Sequence, residues 1–270
     1  MHELARAILD QNMFIPQAVE GIASIGQESD QEFVAKTGLL LQYVKPRIRD
    51  IGQRVLDKIP VVGNSKHVVS VIFVPIRHTQ DRSIELKMRL DLEEVLKRVY
   101  QLGDVVVNGE GSSNQFSKPE MLDDVRRSSR LIYELGGFTR QQYRGANVKL
   151  NGFEEALISF SKNNPKAICI GGDSNECASL CIAISLNPIV AINGESDAEH
   201  IHELHWRMEK EARTRYALNL AIKKSPPGRR IIFVQGYQHL EAVKAWAQRS
   251  NIQTVVTVGK FMLEKFDIKR

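Results

Sequence analysis

One layout occurs twice in this chain, and it limits the folds available. Val69-Ser-Val-Ile-Phe-Val-Pro-Ile-Arg-His78 is followed by a charged segment and then by Asp104-Val-Val-Val-Asn-Gly-Glu110. About 160 residues further on, Arg230-Ile-Ile-Phe-Val-Gln-Gly-Tyr-Gln-His239 is followed by a helix-patterned segment and then by Thr254-Val-Val-Thr-Val-Gly-Lys260. Each copy reads as an apolar strand, a short turn ending in His, a helix and a second apolar strand. Runs of Val, Ile and Phe this continuous suit strands buried on both faces, as in a parallel sheet covered by helices. Two such units in one sheet bring both histidines to one edge of it. Two imidazoles and the Glu110 carboxylate at neighbouring strand ends make a candidate metal site.

The rest of the chain is consistent with that frame. Residues 1–60 are helix-patterned, with breaks at Pro16 and Pro46. Pro60–Ser65 marks a boundary between an N-terminal helical extension (1–64) and an α/β domain (65–270). Residues 81–102 fit either an alternating strand or one helix face. Glu, Leu, Lys, Met and Arg dominate there, so helix is expected. Further helices are expected at 119–135, 153–161, 175–185 and 200–224, and strands at 167–170 and 189–192. An irregular link is expected at 138–152. Strands alternating with helices define the fold class as α/β, a mostly parallel sheet flanked by helices and built from two related halves.

Composition narrows the function classes. A net charge of +5, spread along the chain, permits an anionic substrate but shows no basic stripe with interleaved aromatics, so no nucleic acid is expected as a partner. Three cysteines, Cys169, Cys177 and Cys181, sit in apolar surroundings and read as reduced, buried thiols of a cytoplasmic protein. No apolar run is long enough for a signal peptide or a membrane span, so neither is expected. The N-terminal helices offer a surface for homo-oligomer formation.

His78 and His239 stand where α/β sheets gather their sites, beyond the carboxyl ends of strands. A neutral imidazole there binds a divalent metal; the bland alternative is a histidine that caps its turn. Glu110 ends the second strand of the first unit. The matching residue of the second unit is Lys260, so the acid is no by-product of the repeat. It reads as ligand or general base, against a solvated loop carboxylate. Gly171-Gly172-Asp173-Ser174 reads as a strand-to-helix turn rather than a phosphate cradle. His200, His202 and His205 lack the spacing of a zinc helix and read as a polar helix start. Arg213 and Arg215 lie on an acidic helix, either salt-bridged within it or anchoring an anionic group.

These residues resemble a known family. Gly236-Tyr-Gln-His239 resembles the G-x-x-H element of the TraB/TIKI family and its ChaN-like and erythromycin-esterase-like relatives, and Pro75-Ile-Arg-His78 is similar with Pro in place of Gly. Val105-Val-Val-Asn-Gly-Glu110 resembles that family's strand ending in a functional Glu. Ala212-Arg-Thr-Arg-Tyr-Ala217 resembles its E-R-[ND]-x-x-[MA] helix, with Arg213 matching and Ala212 and Thr214 departing. Leu186-Asn-Pro-Ile-Val-Ala resembles a further strand entry. The resemblance spans about residues 68–260. It implies a metal-dependent hydrolase, peptidase- or esterase-like, acting on a small-molecule or peptide substrate. His78 and His239 would hold a divalent metal ion, Glu110 would ligate it or activate water, and Arg213, Arg215 and Arg77 would bind substrate. The alternative is a non-catalytic member of the fold that binds haem or another anionic ligand, or a protein partner.

Overall fold

The computed structural model of the chain describes residues 26–59, 68–79, 81–135, 149–186 and 198–266. The helix expected near the N-terminus, the boundary at 60–65, most of the link at 138–152 and the strand at 189–192 lie outside these residues.

Strands β1 (Val68–Ile76), β2 (Val105–Asn108), β3 (Ile168–Gly171), β4 (Arg229–Gly236) and β5 (Gln253–Val256) form one parallel sheet in the order β3-β2-β4-β1-β5. The two repeated units are interleaved in it. β1 reaches β2 by passing over β4, and β4 reaches β5 by passing over β1. The two crossovers use opposite faces. Helix α3 (Arg82–Val99) packs Leu92, Val95 and Leu96 on Ile72, Val74, Val106, Ile232 and Val234. Helix α9 (Leu240–Arg249) packs Val243, Trp246 and Ala247 on Val71, Phe73, Val107, Ile231 and Phe233. Alternate residues of each strand therefore feed two separate apolar layers, which is why the strands read as unbroken apolar runs. The helix choice at 81–102 holds: Asp81 caps α3 by accepting from Ser83 N at 2.8 Å and Ile84 N at 3.4 Å.

β1 and β4 are the central pair, matched from Val71 and Ile231 to Ile76 and Gly236. Their following connections leave to opposite faces, so a crevice opens at their carboxyl ends. This is where ligands bind in open α/β sheets.

The remaining helices complete the two layers and the N-terminal lobe. Helix α4 (Lys118–Leu135) precedes α5 (Gly152–Asn163), which joins α3 on one face. Helix α6 (Asn175–Leu186) follows β3. Helices α1 (Asp30–Leu40) and α2 (Pro46–Asp57) and the turn between them bury Phe33, Leu41, Val55 and Leu56 in one cluster with Cys177, Leu180 and Cys181 of α6. Ser29 and Glu32 form a capping box at α1, and Pro46 opens α2 at a position where no N–H is needed. The cysteines are free, and Cys177 and Cys181 are buried. No helix among the described residues is long and apolar enough to cross a membrane.

The helix expected at 200–224 is not continuous α-helix. It consists of α7 (Ala198–Trp206), a π-helical stretch (Arg207–Ala212) and α8 (Arg213–Lys224). Such π turns recur at functional sites, because the wider turn re-aims the side chains on it. Helix α10 (Lys260–Phe266) closes the described chain, its N-terminal amides of Phe261 and Met262 donating to Asp91.

Candidate functional site

The carboxyl edge of β1, β2 and β4 carries a buried network of charged groups. Glu110 follows β2 through a turn in which its N–H donates to Asn108 Oδ1 at 3.1 Å. Its carboxylate crosses to the next strand. Gly236 N at the end of β4 donates to Glu110 Oε1 at 2.8 Å, and Arg213 Nη2 donates to Oε2 at 2.7 Å. His78 Nε2 stands 3.6 Å from the same Oε2. A Cβ on residue 236 would lie 3.1 Å from Glu110 Oε1 and 3.6 Å from His239 Cδ2. Glycine thus leaves the notch that lets strand, carboxylate and imidazole approach.

Arg213 is the hub. Its guanidinium bonds Glu110, Asp173 (Nε to Oδ2, 3.0 Å) and Glu209 (Nη1 to Oε1, 2.6 Å), and all four groups are buried. Lys210 Nζ lies 3.8 Å from Glu209. Three carboxylates thus share two cations. Burial raises the pKa of each acid, and Arg213, first among the opposing groups, lowers it. At Glu110 and Glu209 the cations prevail, and both stay ionised. At Asp173 burial prevails and pushes the pKa up to about 7. Lys210 is brought down to about 8 by burial.

The two histidines occupy one edge but different environments. The His78 side chain is 48% exposed. Desolvation pulls its pKa down, but Glu110 more than offsets this, so the imidazolium is favoured relative to a free histidine. His239 is fully buried. Burial, then Lys210 and Arg213, depress its pKa to about 3, so it is neutral. Its Nδ1 pairs with the Thr214 hydroxyl at 3.1 Å, which orients the ring. Its Nε2 has no hydrogen-bond partner and lies 3.8 Å from Glu209 Oε1.

The structure therefore gathers His78, Glu110, His239 and Arg213 and separates Arg215 from them. Arg215 faces the N-terminal lobe, where it bonds Asp30 at 2.7 Å and Glu211 at 3.3 Å and lies over the Phe33 ring. Arg77 is half-buried just beyond β1. Lys260, the counterpart of Glu110, is exposed on α10 near Glu264. His200 stacks on Tyr43 and His202 is exposed. A cavity of about 650 Å³ borders Asp173 and is lined in part by Ser112, Asn114, Arg127, Tyr216 and Lys224.

The arrangement meets the expected metal only in donor type. Both Glu110 oxygens are already engaged, and Arg213 supplies positive charge where a cation would stand. Among the described residues no group of three or more His, Cys, Asp or Glu side chains is arranged to hold a metal ion. Sequence reasoning missed Asp173, Glu209, Lys210 and Thr214. Only the i, i+4 spacing of Glu209 and Arg213 signalled a pair. Comparison with known proteins finds no matching family model, no matching curated protein and no matching solved structure.

Proposed function

We propose that this chain is a hydrolase in which His78 acts as general base on a water molecule and Glu110 stabilises the imidazolium that results. The observation that carries this reading is the Glu110 carboxylate, tied to Gly236 N and Arg213 on one side and facing the exposed His78 imidazole on the other. A buried, oriented carboxylate behind an accessible imidazole is how acyl-transfer sites hold a base in position. Arg213 keeps Glu110 charged. Fully buried, His239 cannot touch a substrate in this arrangement; it packs the floor with its ring fixed by Thr214. The substrate class is an ester or amide of a small molecule or peptide, admitted from the exposed His78 side.

The test is hydrolysis of a panel of activated esters and short peptides by wild type and His78→Ala. His78 is half exposed, so its removal leaves the core intact. Turnover by wild type that falls by ~10²-fold or more in the variant, the scale of a lost general base, supports the reading. Folded wild type without turnover across the panel, or equal turnover in both, overturns it.

A further inference from the structure

The cavity of about 650 Å³ beside Asp173 lies apart from the hydrolytic groups, since neither His78 nor Glu110 lines it. Two helix stripes form its walls. Helix α8 contributes Tyr216, Leu220 and Lys224, four residues apart, and α4 contributes Arg127, Leu131 and Glu134, three or four apart. Residues at these spacings share one face of a helix. The carboxyl end of β3 and the loop after Glu110 close the cavity between the helices. Gly171 N donates to Asn114 Oδ1 at 3.3 Å, and a Cβ on Gly171 would collide with the Ser112 carbonyl, so glycine lets loop and strand meet. From Arg213 to Ile222 every residue of α8 is buried except Tyr216 and Leu220, which are half-buried. The cavity is the opening in a helix that is otherwise enclosed there.

The lining carries surplus positive charge. Each of its acids already has a cation: Asp173 has Arg213 at 2.8 Å, Glu134 has Arg130 at 2.8 Å and Glu176 has Lys58 at 2.5 Å. Arg213 and Lys58 are not themselves part of the lining. Lys224 forms no ion pair among the described residues. Its ammonium donates to Asn114 Oδ1 at 3.1 Å, the oxygen that also accepts from Gly171 N, and so it is held at the carboxyl end of β3. Ligands of open α/β sheets bind at such ends. Arg127 comes only within 3.8 Å of Asp124, whose carboxylate already accepts from Ser112 and Ser113. We propose that this cavity binds a small organic anion with a flat apolar body. The anionic group is drawn to Lys224 and Arg127, and the body covers Leu131, Leu220 and the Tyr216 ring. An inorganic anion would leave that apolar wall wet, and a neutral apolar molecule would leave the cations unmatched. The volume falls within the ~300–1,000 Å³ of small-molecule sites. This site does not depend on the hydrolase reading above.

The probe is 1-naphthyl phosphate, titrated into the full chain by calorimetry, with inorganic phosphate and 1-naphthol as its two halves. Wild type should bind one 1-naphthyl phosphate per chain, and each half at least ~10-fold more weakly, because each meets only part of the lining. Arg127 and Lys224 are exposed, so the Arg127→Gln, Lys224→Gln double variant leaves the core untouched. It should bind 1-naphthyl phosphate ~10-fold or more weakly than wild type, the scale of losing charge-assisted contacts to the anion. Lys97 and Arg98 are exposed on α3 and are not part of the lining. The Lys97→Gln, Arg98→Gln variant makes the same change in net charge and should bind as wild type does. No binding by folded wild type overturns the proposal. So does an equal loss in both variants, which would mean attraction to the overall charge, or an affinity for either half that matches the whole probe.

Discussion

Glu110→Gln is the sharpest perturbation of the site, because structure and chemistry forecast different outcomes for it. The side chain is buried and makes two hydrogen bonds, from Gly236 N and Arg213 Nη2, besides facing His78. Were Arg213 left with no partner, the cost would be the ~3–5 kcal/mol of an uncompensated buried charge. It is not left so, because Asp173 and Glu209 remain on the same guanidinium at 2.8 and 2.6 Å. The glutamine oxygen still accepts from Gly236 N. What is lost is one charge-assisted hydrogen bond, ~1.5–3 kcal/mol. The excess of carboxylates around Arg213 and Lys210 also falls, which offsets part of that loss. Urea unfolding should show a loss at the low end of this range and an unchanged m-value. The chemistry forecasts far more: without the carboxylate the His78 imidazolium loses its main support. Turnover per folded molecule should fall by ~10²-fold or more, and the His78 titration should move to lower pH. A variant that loses several kcal/mol of stability yet keeps its turnover per folded molecule would refute the reasoning and make Glu110 a structural strut.

Other outcomes follow from the same contacts. Phe33 is fully buried beneath the Arg215 guanidinium, so Phe33→Ala should cost ~3–5 kcal/mol in chemical denaturation; a loss under 1 kcal/mol would show that the N-terminal helices are weakly held. Burial would raise the Asp30 pKa, but Arg215 and Arg249 hold it below the usual range, so Asp30 stabilises the fold above its unfolded pKa of ~3.9 and that contribution disappears as pH falls through the lower folded value. Asp30→Asn should therefore destabilise the protein at pH 7 and flatten the decline of melting temperature below about pH 4; parallel acid limbs in wild type and variant would exclude it. Because Arg213 already supplies positive charge at Glu110, zinc titration by calorimetry should give the same isotherm for wild type and the His78→Ala, His239→Ala double variant. A binding step present only in wild type would restore the metal reading.

How much of this was legible beforehand depended on where each signal lay. The parallel sheet was legible because β1 and β4 each carry their own evidence, a continuous apolar run that feeds two layers. The common edge for His78 and His239 followed from the repeat, since equal layouts on paired parallel strands end at the same side. Arg213 could be named, but its role as a hub could not. Its partners Glu110 and Asp173 lie 103 and 40 residues away in sequence, on turns ordinary in themselves. The π stretch leaves no mark in the apolar spacing of 200–224, so the helix read as continuous.

Arg213 and Arg215, read together as salt-bridged within the helix or anchoring an anionic group, take separate surroundings. Residues two apart on a helix point ~200° apart, so one arginine at the sheet edge sends the other outward. Arg213 turns to Glu110 and Asp173, and Arg215 turns to Asp30, with Arg207 reaching Glu28 on the same side. Each uses the glutamate four residues before it, Glu209 and Glu211, as a brace. The acidic residues that looked like simple intrahelical partners are therefore shared between two faces. One face arms the site, and the other clamps the N-terminal lobe. A substitution that breaks only the outer set, such as Asp30→Asn, should consequently lower stability while leaving the His78 titration in place. A His78 titration that moved with Asp30→Asn would mean that the two faces of the helix are coupled, and the separation argued here would not hold.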